Sequence, residues 1–241
     1  MIELDGAEVT AWSPDPAGGP DRVVRLLGPV DLRLTERRVA VVGANGSGKS
    51  TLARLLNGLV LPSAGRVRVD GLDTATDGPA VRRRVGFVFT DPDAQIVMPT
   101  PLEDVALSLR RTVPDARERE ARAAATLARF GLADRAHVPV HALSGGQRQL
   151  LALAAVLATD PQVLVCDEPT TLLDLRWRTR VDDLLAGLPQ QVVVVTHDLE
   201  AAARAERVLV VDEGAVVADD APGPALARYR SLMAGARAAH P

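Results

Sequence analysis

Gly43-Ala44-Asn45-Gly46-Ser47-Gly48-Lys49-Ser50-Thr51 sets a lysine and two hydroxyls directly behind a glycine-rich turn. The spacing fits G-x-x-x-x-G-K-[ST], a loop whose backbone N–H groups converge on phosphate oxygens. Glycines permit that close approach, and a following helix adds partial positive charge from its N-terminus. Lys49 would reach the same oxygens, and the Ser50 hydroxyl is placed to ligate Mg²⁺. Lys49 is also the only lysine among 28 basic residues. An ammonium is a compact point charge on a slim stem, whereas guanidinium is a broad planar fork. A loop wrapped closely around phosphates has room for the first and little for the second.

A second group of residues offers the matching chemistry. Val163-Leu164-Val165-Cys166-Asp167-Glu168 is an apolar run ending in two acids. At the end of a strand in an α/β sheet, carboxylates meet the ligand crevice. Asp167 would hold Mg²⁺ through water, and Glu168 would orient or deprotonate an attacking water. Strands often end in surface acids, so this pair gains its weight from the loop upstream. Leu143-Ser144-Gly145-Gly146-Gln147 reads, by itself, as a turn whose serine caps the next helix. His197 follows another apolar run, where an ordinary surface histidine would also fit. His137, His141 and His240 have no such company.

These residues need elements to place them. Arg38 to Val42 is a short apolar run of the kind buried on both faces of a sheet. A helix is expected from Lys49 to about Asn57, ended by Gly58. The first forty residues read as short strands around the turn-rich segment Ser13 to Pro20. Further strands are expected at Val67 to Val69, Val85 to Phe89, Gln162 to Cys166 and Gln191 to Val195. A helix is expected from Gln147 to about Thr159, and a hairpin around Glu213-Gly214. Arg110 to Arg135, rich in Ala, Arg and Glu, reads as helical with a solvated face. The organisation is one domain: an α/β core of mostly parallel sheet with N-terminal antiparallel strands (1–90 and 150–218), an inserted helical subdomain (91–149) and a short tail (219–241).

Composition sets limits. Hydrophobic content of 47% and charged content of 24% are ordinary for a globular chain of 241 residues. Aromatics are only 2%, so the core must be built from Val, Leu and Ala. A net charge of −3 argues against a duplex-wrapping nucleic-acid binder. A single cysteine, Cys166, excludes an internal disulfide framework and reads as a small buried hydrophobe. The longest apolar stretch, Leu150 to Ala158, falls short of the roughly 20 residues of a membrane span. No secretory signal is visible in Met1 to Asp5. The expectation is a protein soluble by itself that, if it works at a membrane, does so through a partner.

The chain resembles the ATP-binding subunits of ABC transporters. The phosphate loop, Leu143-Ser144-Gly145-Gly146-Gln147, the acid pair, Asp174 and His197 occur in that family's order, over roughly residues 2 to 218. The resemblance implies a P-loop NTPase fold and two subunits paired head to tail around two ATP molecules. Ser144, Gly145, Gly146 and Gln147 of one subunit would then contact the γ-phosphate held by the other. Asp174 would join the nucleotide site, and His197 would sense the γ-phosphate. Two positions depart from the family. Thr90 stands where a glutamine usually reaches the metal and the attacking water. Trp12 is the only aromatic near the adenine-stacking position, one residue out of register.

Asp91-Pro92-Asp93-Ala94-Gln95-Ile96-Val97-Met98-Pro99-Thr100 and Pro169 to Arg176 look like ATPases of energy-coupling-factor importers, which take up vitamins and transition metals, the latter segment like their biotin-importer members. That resemblance implies a transmembrane coupling subunit, a substrate-capturing membrane subunit, and peripheral attachment at the cytoplasmic face. It also implies pairing as a homodimer, or as a heterodimer with a related ATPase. Asp91 to Met98 would form a groove for a helix of the membrane partner. A binding-protein-dependent importer and a soluble nucleotide switch are the alternatives.

Overall fold

A computed structural model describes residues 1–15, 19 and 21–239. Part of the turn-rich segment (16–18 and 20) and His240 lie outside the described residues. The strands are β1 (Ile2–Ser13), β2 (Arg22–Leu34), β3 (Arg38–Val42), β4 (Ala64–Val69), β5 (Leu72–Asp73), β6 (Val85–Val88), β7 (Val163–Asp167), β8 (Gln191–Val195), β9 (Arg207–Asp212) and β10 (Ala215–Asp220). The helices are α1 (Lys49–Leu55), α2 (Gly78–Arg84), α3 (Pro101–Leu109), α4 (Ala116–Arg129), α5 (Gly145–Leu157), α6 (Leu175–Gly187), α7 (Leu199–Ala202) and α8 (Pro222–Ala239).

Two sheets result. One is antiparallel, in the order β2-β1-β4-β5; the other has six strands in the order β10-β9-β3-β8-β7-β6. In the second sheet β9, β3, β8, β7 and β6 run parallel and β10 returns antiparallel. Every residue of β7 is buried, as its continuous apolar run requires for a strand covered on both faces. The strand period of two then sorts its side chains. Val163 and Val165 enter the cluster shared with β1 and β2, while Leu164 and Cys166 enter the cluster under α3, α4 and α5. Burial pushes the Cys166 thiol up, so it stays neutral.

Several boundaries differ from the sequence reading for identifiable reasons. The N-terminal strands are long rather than short, 12 and 13 residues. They pair with each other along their length, with three register shifts. Helix α1 stops at Leu55, before Asn57. Gly58 takes φ +69° and donates its N–H to the Leu55 carbonyl, turning the chain just past the helix end. The segment 110–135 is not one helix. Helix α3 has already ended at Leu109, and Pro114, which lacks an N–H, stands in the short connection before α4 begins at Ala116. Asp115 then caps α4 by accepting from the Glu118 N–H. The C-terminal tail is in fact a helix, α8. Ala225 and Leu226 are buried against β3 and β9, so an Ala/Arg-rich segment that looks featureless in one dimension covers part of the core.

Candidate functional site

The phosphate loop sits between β3 and α1, at the carboxyl end of the parallel sheet. Gly46 (φ +78°) and Gly48 (φ +106°) adopt left-handed backbone that a side chain would resist. A β-carbon on Gly48 would also lie 2.8 Å from the Leu26 carbonyl oxygen. The loop is pinned from the side by the β9–β10 turn. Gly214 donates its N–H to the Ser47 carbonyl at 2.9 Å and accepts from the Gly28 N–H. Lys49 is 6% exposed and donates from Nζ to the Ala44 carbonyl at 2.8 Å. Burial pulls its pKa down, against Glu168 and Asp167, which favour the charged form. A cleft of about 410 Å³ opens here, lined by Val24, Leu26, Gly46 through Thr51 and the Glu213-Gly214 turn.

The acid pair meets the loop from β7. Asp167 is 2% exposed and accepts from the Ser50 hydroxyl at 3.0 Å. Its other oxygen lies 3.9 Å from the Arg54 guanidinium. Burial pushes its pKa up, against the Ser50 hydrogen bond and the charges of Arg54 and Lys49. Glu168 has φ +55°, strained for a residue with a side chain, and its N–H is held by the Val195 carbonyl at 3.0 Å. This backbone aims the carboxylate at β8. Oε2 accepts from the Thr171 hydroxyl at 2.7 Å and lies 2.5 Å from Nδ1 of His197. A carboxylate and a histidine 29 residues apart in the chain are thus brought into one hydrogen bond.

Other anticipated residues take different places. The Thr90 hydroxyl donates to the Asp167 backbone carbonyl at 2.8 Å, fixing the end of β7. Gln95 stays on its own segment and accepts from the Phe89 N–H. Trp12 is 73% exposed and does not line the phosphate-loop cleft, which takes its wall from Val24 and Leu26 on β2 instead. Ser144 and Gln147 form a reciprocal cap on α5: Ser144 accepts from the Gln147 N–H, and the Gln147 side chain accepts from the Ser144 N–H. Asp174 caps α6 by accepting from the Trp177 N–H at 3.0 Å. Neither Ser144, Gly145, Gly146, Gln147 nor Asp174 lines the cleft of the chain's own phosphate loop. Sequence reasoning missed Leu26 and Arg54, which have no local motif, and gave no role at the site to Thr171 or Gly214; the packing of β2, α1, the loop after β7 and the β9–β10 turn brings them in.

The donor chemistry suits a hard cation shared with phosphates. Among the described residues no group of three or more His, Cys, Asp and Glu forms a metal cage. The Ser50 hydroxyl and the buried Asp167 carboxylate instead stand side by side at the loop. Mg²⁺ is typically bound this way, by one or two protein oxygens together with substrate phosphates and water.

A phosphate loop on a parallel strand, an acid pair and a histidine on neighbouring strands define a P-loop ATPase. The "ABC transporter" family model matches residues 27–171. The biotin transport ATP-binding protein BioM of Rhizobium etli is 49% identical over 208 residues, covering 86% of this chain and 92% of its own. The energy-coupling factor transporter ATP-binding protein EcfA1 of Lactiplantibacillus plantarum is 43% identical over 203 residues, covering 81% and 71%. A dimeric ATP-binding cassette solved in a post-hydrolysis state with ADP and Pi superposes with a TM-score of 0.80 at 31% identity, covering 92% of this chain and 99% of that one. The chain belongs to the ABC transporter family, as an ATP-binding and ATP-hydrolysing subunit with the P-loop fold anticipated from its motifs.

Proposed function

We propose that this chain powers an energy-coupling-factor importer, most similar to the biotin type, by pairing with a second ATPase subunit around two ATP molecules. The observation that carries the pairing is spatial. The signature residues 144–147 are organised at a helix N-terminus, yet they are absent from the walls of the phosphate-loop cleft. Gly145 has open space where a β-carbon would stand. A second subunit, identical or related, would bring its own signature onto this cleft. The importer assignment rests on the segments 91–98 and 169–176 and on the relatives BioM and EcfA1. No helix among the described residues is long and apolar enough to cross a membrane. Attachment at the cytoplasmic face would therefore run through the transmembrane coupling subunit, with a substrate-capturing membrane subunit beside it.

In this reading the loop amides and Lys49 hold the β- and γ-phosphates and stabilise charge as the phosphoryl group transfers. Ser50 and Asp167 would hold Mg²⁺, which neutralises phosphate charge when bound. Glu168 acts as the base that orients and deprotonates the attacking water, and His197 donates to the γ-phosphate. The hydrogen bond between Glu168 and His197 keeps both side chains aimed at one point. Thr90 is too short to reach the metal position of the usual glutamine and acts there only through a bridging water, which favours slow turnover. Glu168→Gln should lower turnover by about 10²-fold or more while leaving ATP binding intact. The same variant should elute as a dimer with ATP and as a monomer with ADP. Monomers under both conditions would overturn the pairing.

A further inference from the structure

Helix α6 grips two functional motifs with consecutive residues. A β-carbon built on Gly146 would lie only 2.2 Å from the indole ring of Trp177, so that ring lies against the signature helix at its first turn. Arg178, the next residue, donates to Asp198 Oδ2 at 3.2 Å. Asp198 directly follows His197, and its other oxygen accepts from the N–H groups of Glu200 and Ala201. The carboxylate that Arg178 holds therefore fixes the backbone immediately after the histidine. Successive helical residues project about 100° apart, so one face of α6 meets α5 while the next meets α7. Arg180 adds a third tie. It donates to the Phe130 carbonyl at the end of α4, at 2.9 Å, and stands 5.3 Å from the Trp177 ring centroid.

We infer that α6 is a rigid link between the two nucleotide sites of the paired assembly, with Trp177 and Arg178 as its positioning residues. The inference rests on the pairing proposed above. The signature helix of one subunit serves the nucleotide of its partner, whereas His197 and Glu168 serve the subunit's own. A displacement of α5 when the partner's nucleotide binds or leaves is pressed onto Trp177. It passes along the α6 backbone to the adjacent Arg178, and reaches His197 through Asp198. Neither residue touches nucleotide or reacting atoms; both act by placing groups that do.

The test uses the full chain and its ATPase kinetics. Wild type should show a Hill coefficient for ATP above 1. Trp177→Ala and Arg178→Ala should each lower kcat about 10-fold, leave KM within about twofold, and bring the Hill coefficient to about 1. The double variant should lose no more than the worse single variant, because both substitutions break one link. Trp177→Phe and Arg178→Lys, which keep an aromatic ring and a cation in place, should retain most of the activity and guard against a folding defect. Losses that multiply in the double variant, or an unchanged Hill coefficient in the single ones, would overturn the link. The ATP-dependent dimer of Glu168→Gln separates the two ideas. If that dimer forms while losses multiply, pairing stands and the link falls. If it never forms, both fall.

Discussion

Asp167 shows how one residue carries opposed demands. The proposed metal role asks for an ionised carboxylate beside Ser50, yet burial favours the protonated form and pushes its pKa up. A raised folded-state pKa means that the native chain binds this proton more tightly than the unfolded chain does. The associated stability is present below the unfolded value, about 3.9, and is lost as pH rises through the folded one. Asp167→Asn should therefore raise the melting temperature of the nucleotide-free chain at neutral pH. A gain of about 2–4 °C corresponds to ~1 kcal/mol in a chain of this size. Its melting temperature should also vary less with pH than that of wild type. A lower melting point would mean that the Ser50 and Arg54 contacts outweigh the burial. At Thr90 the argument is one of reach. Thr90→Gln exchanges a hydrogen bond to the Asp167 carbonyl for a longer side chain, and single-turnover hydrolysis should speed up.

At the scale of elements, the site depends on segments that carry no motif. The β9–β10 turn braces the phosphate loop through Gly214, and β2 supplies a wall of the cleft. Helix α8 is the clearest case. Its Leu226 is 3% exposed and packs with Ala40, Val42, Val208 and Val210, on the strands that lead into the loop and the turn. Leu226→Ala removes buried methyl groups and should destabilise the chain by about 2–5 kcal/mol, visible as a lower melting temperature. Limited proteolysis of that variant should cut first within α8. If cleavage instead began in the helical region 101–143, α8 would be no brace for the core.

Across the whole molecule, the two halves of the chemistry are kept apart. Loop, acid pair and histidine converge at the ends of β3, β7 and β8, whereas the signature caps α5 outside that cleft. In the proposed pairing, a single copy would hold the parts of a nucleotide site without assembling them, and coupling to transport would be a property of the assembly. Affinity capture of this chain from its native membrane in mild detergent should recover a transmembrane coupling protein and a small substrate-capturing membrane protein. Recovery of two large permease subunits would place it instead with a binding-protein-dependent importer. Soluble partners alone would overturn the transport assignment.

The chemistry was legible because it is written in short stretches whose spacing is itself the geometry. A glycine-rich turn before a lysine needs no distant residue to be recognised, two acids closing an apolar strand gain their weight from that loop, and β3, β7 and β8 declared themselves as apolar runs. The structure decided whatever depends on residues far apart in the chain. Glu168 meets His197 because β7 and β8 pair in parallel, and a left-handed φ at Glu168 turns its carboxylate toward the neighbouring strand. Trp12, the only aromatic near the first strand pair, pairs with Val23 and stays largely exposed, while Val24 and Leu26 form a wall of the phosphate-loop cleft. The tail became a helix because the exposed face of β3 and β9 offered Ala225 and Leu226 apolar surface to cover. Local sequence fixes which atoms can do chemistry; the pairing of strands and the burial of apolar faces fix which of those atoms meet.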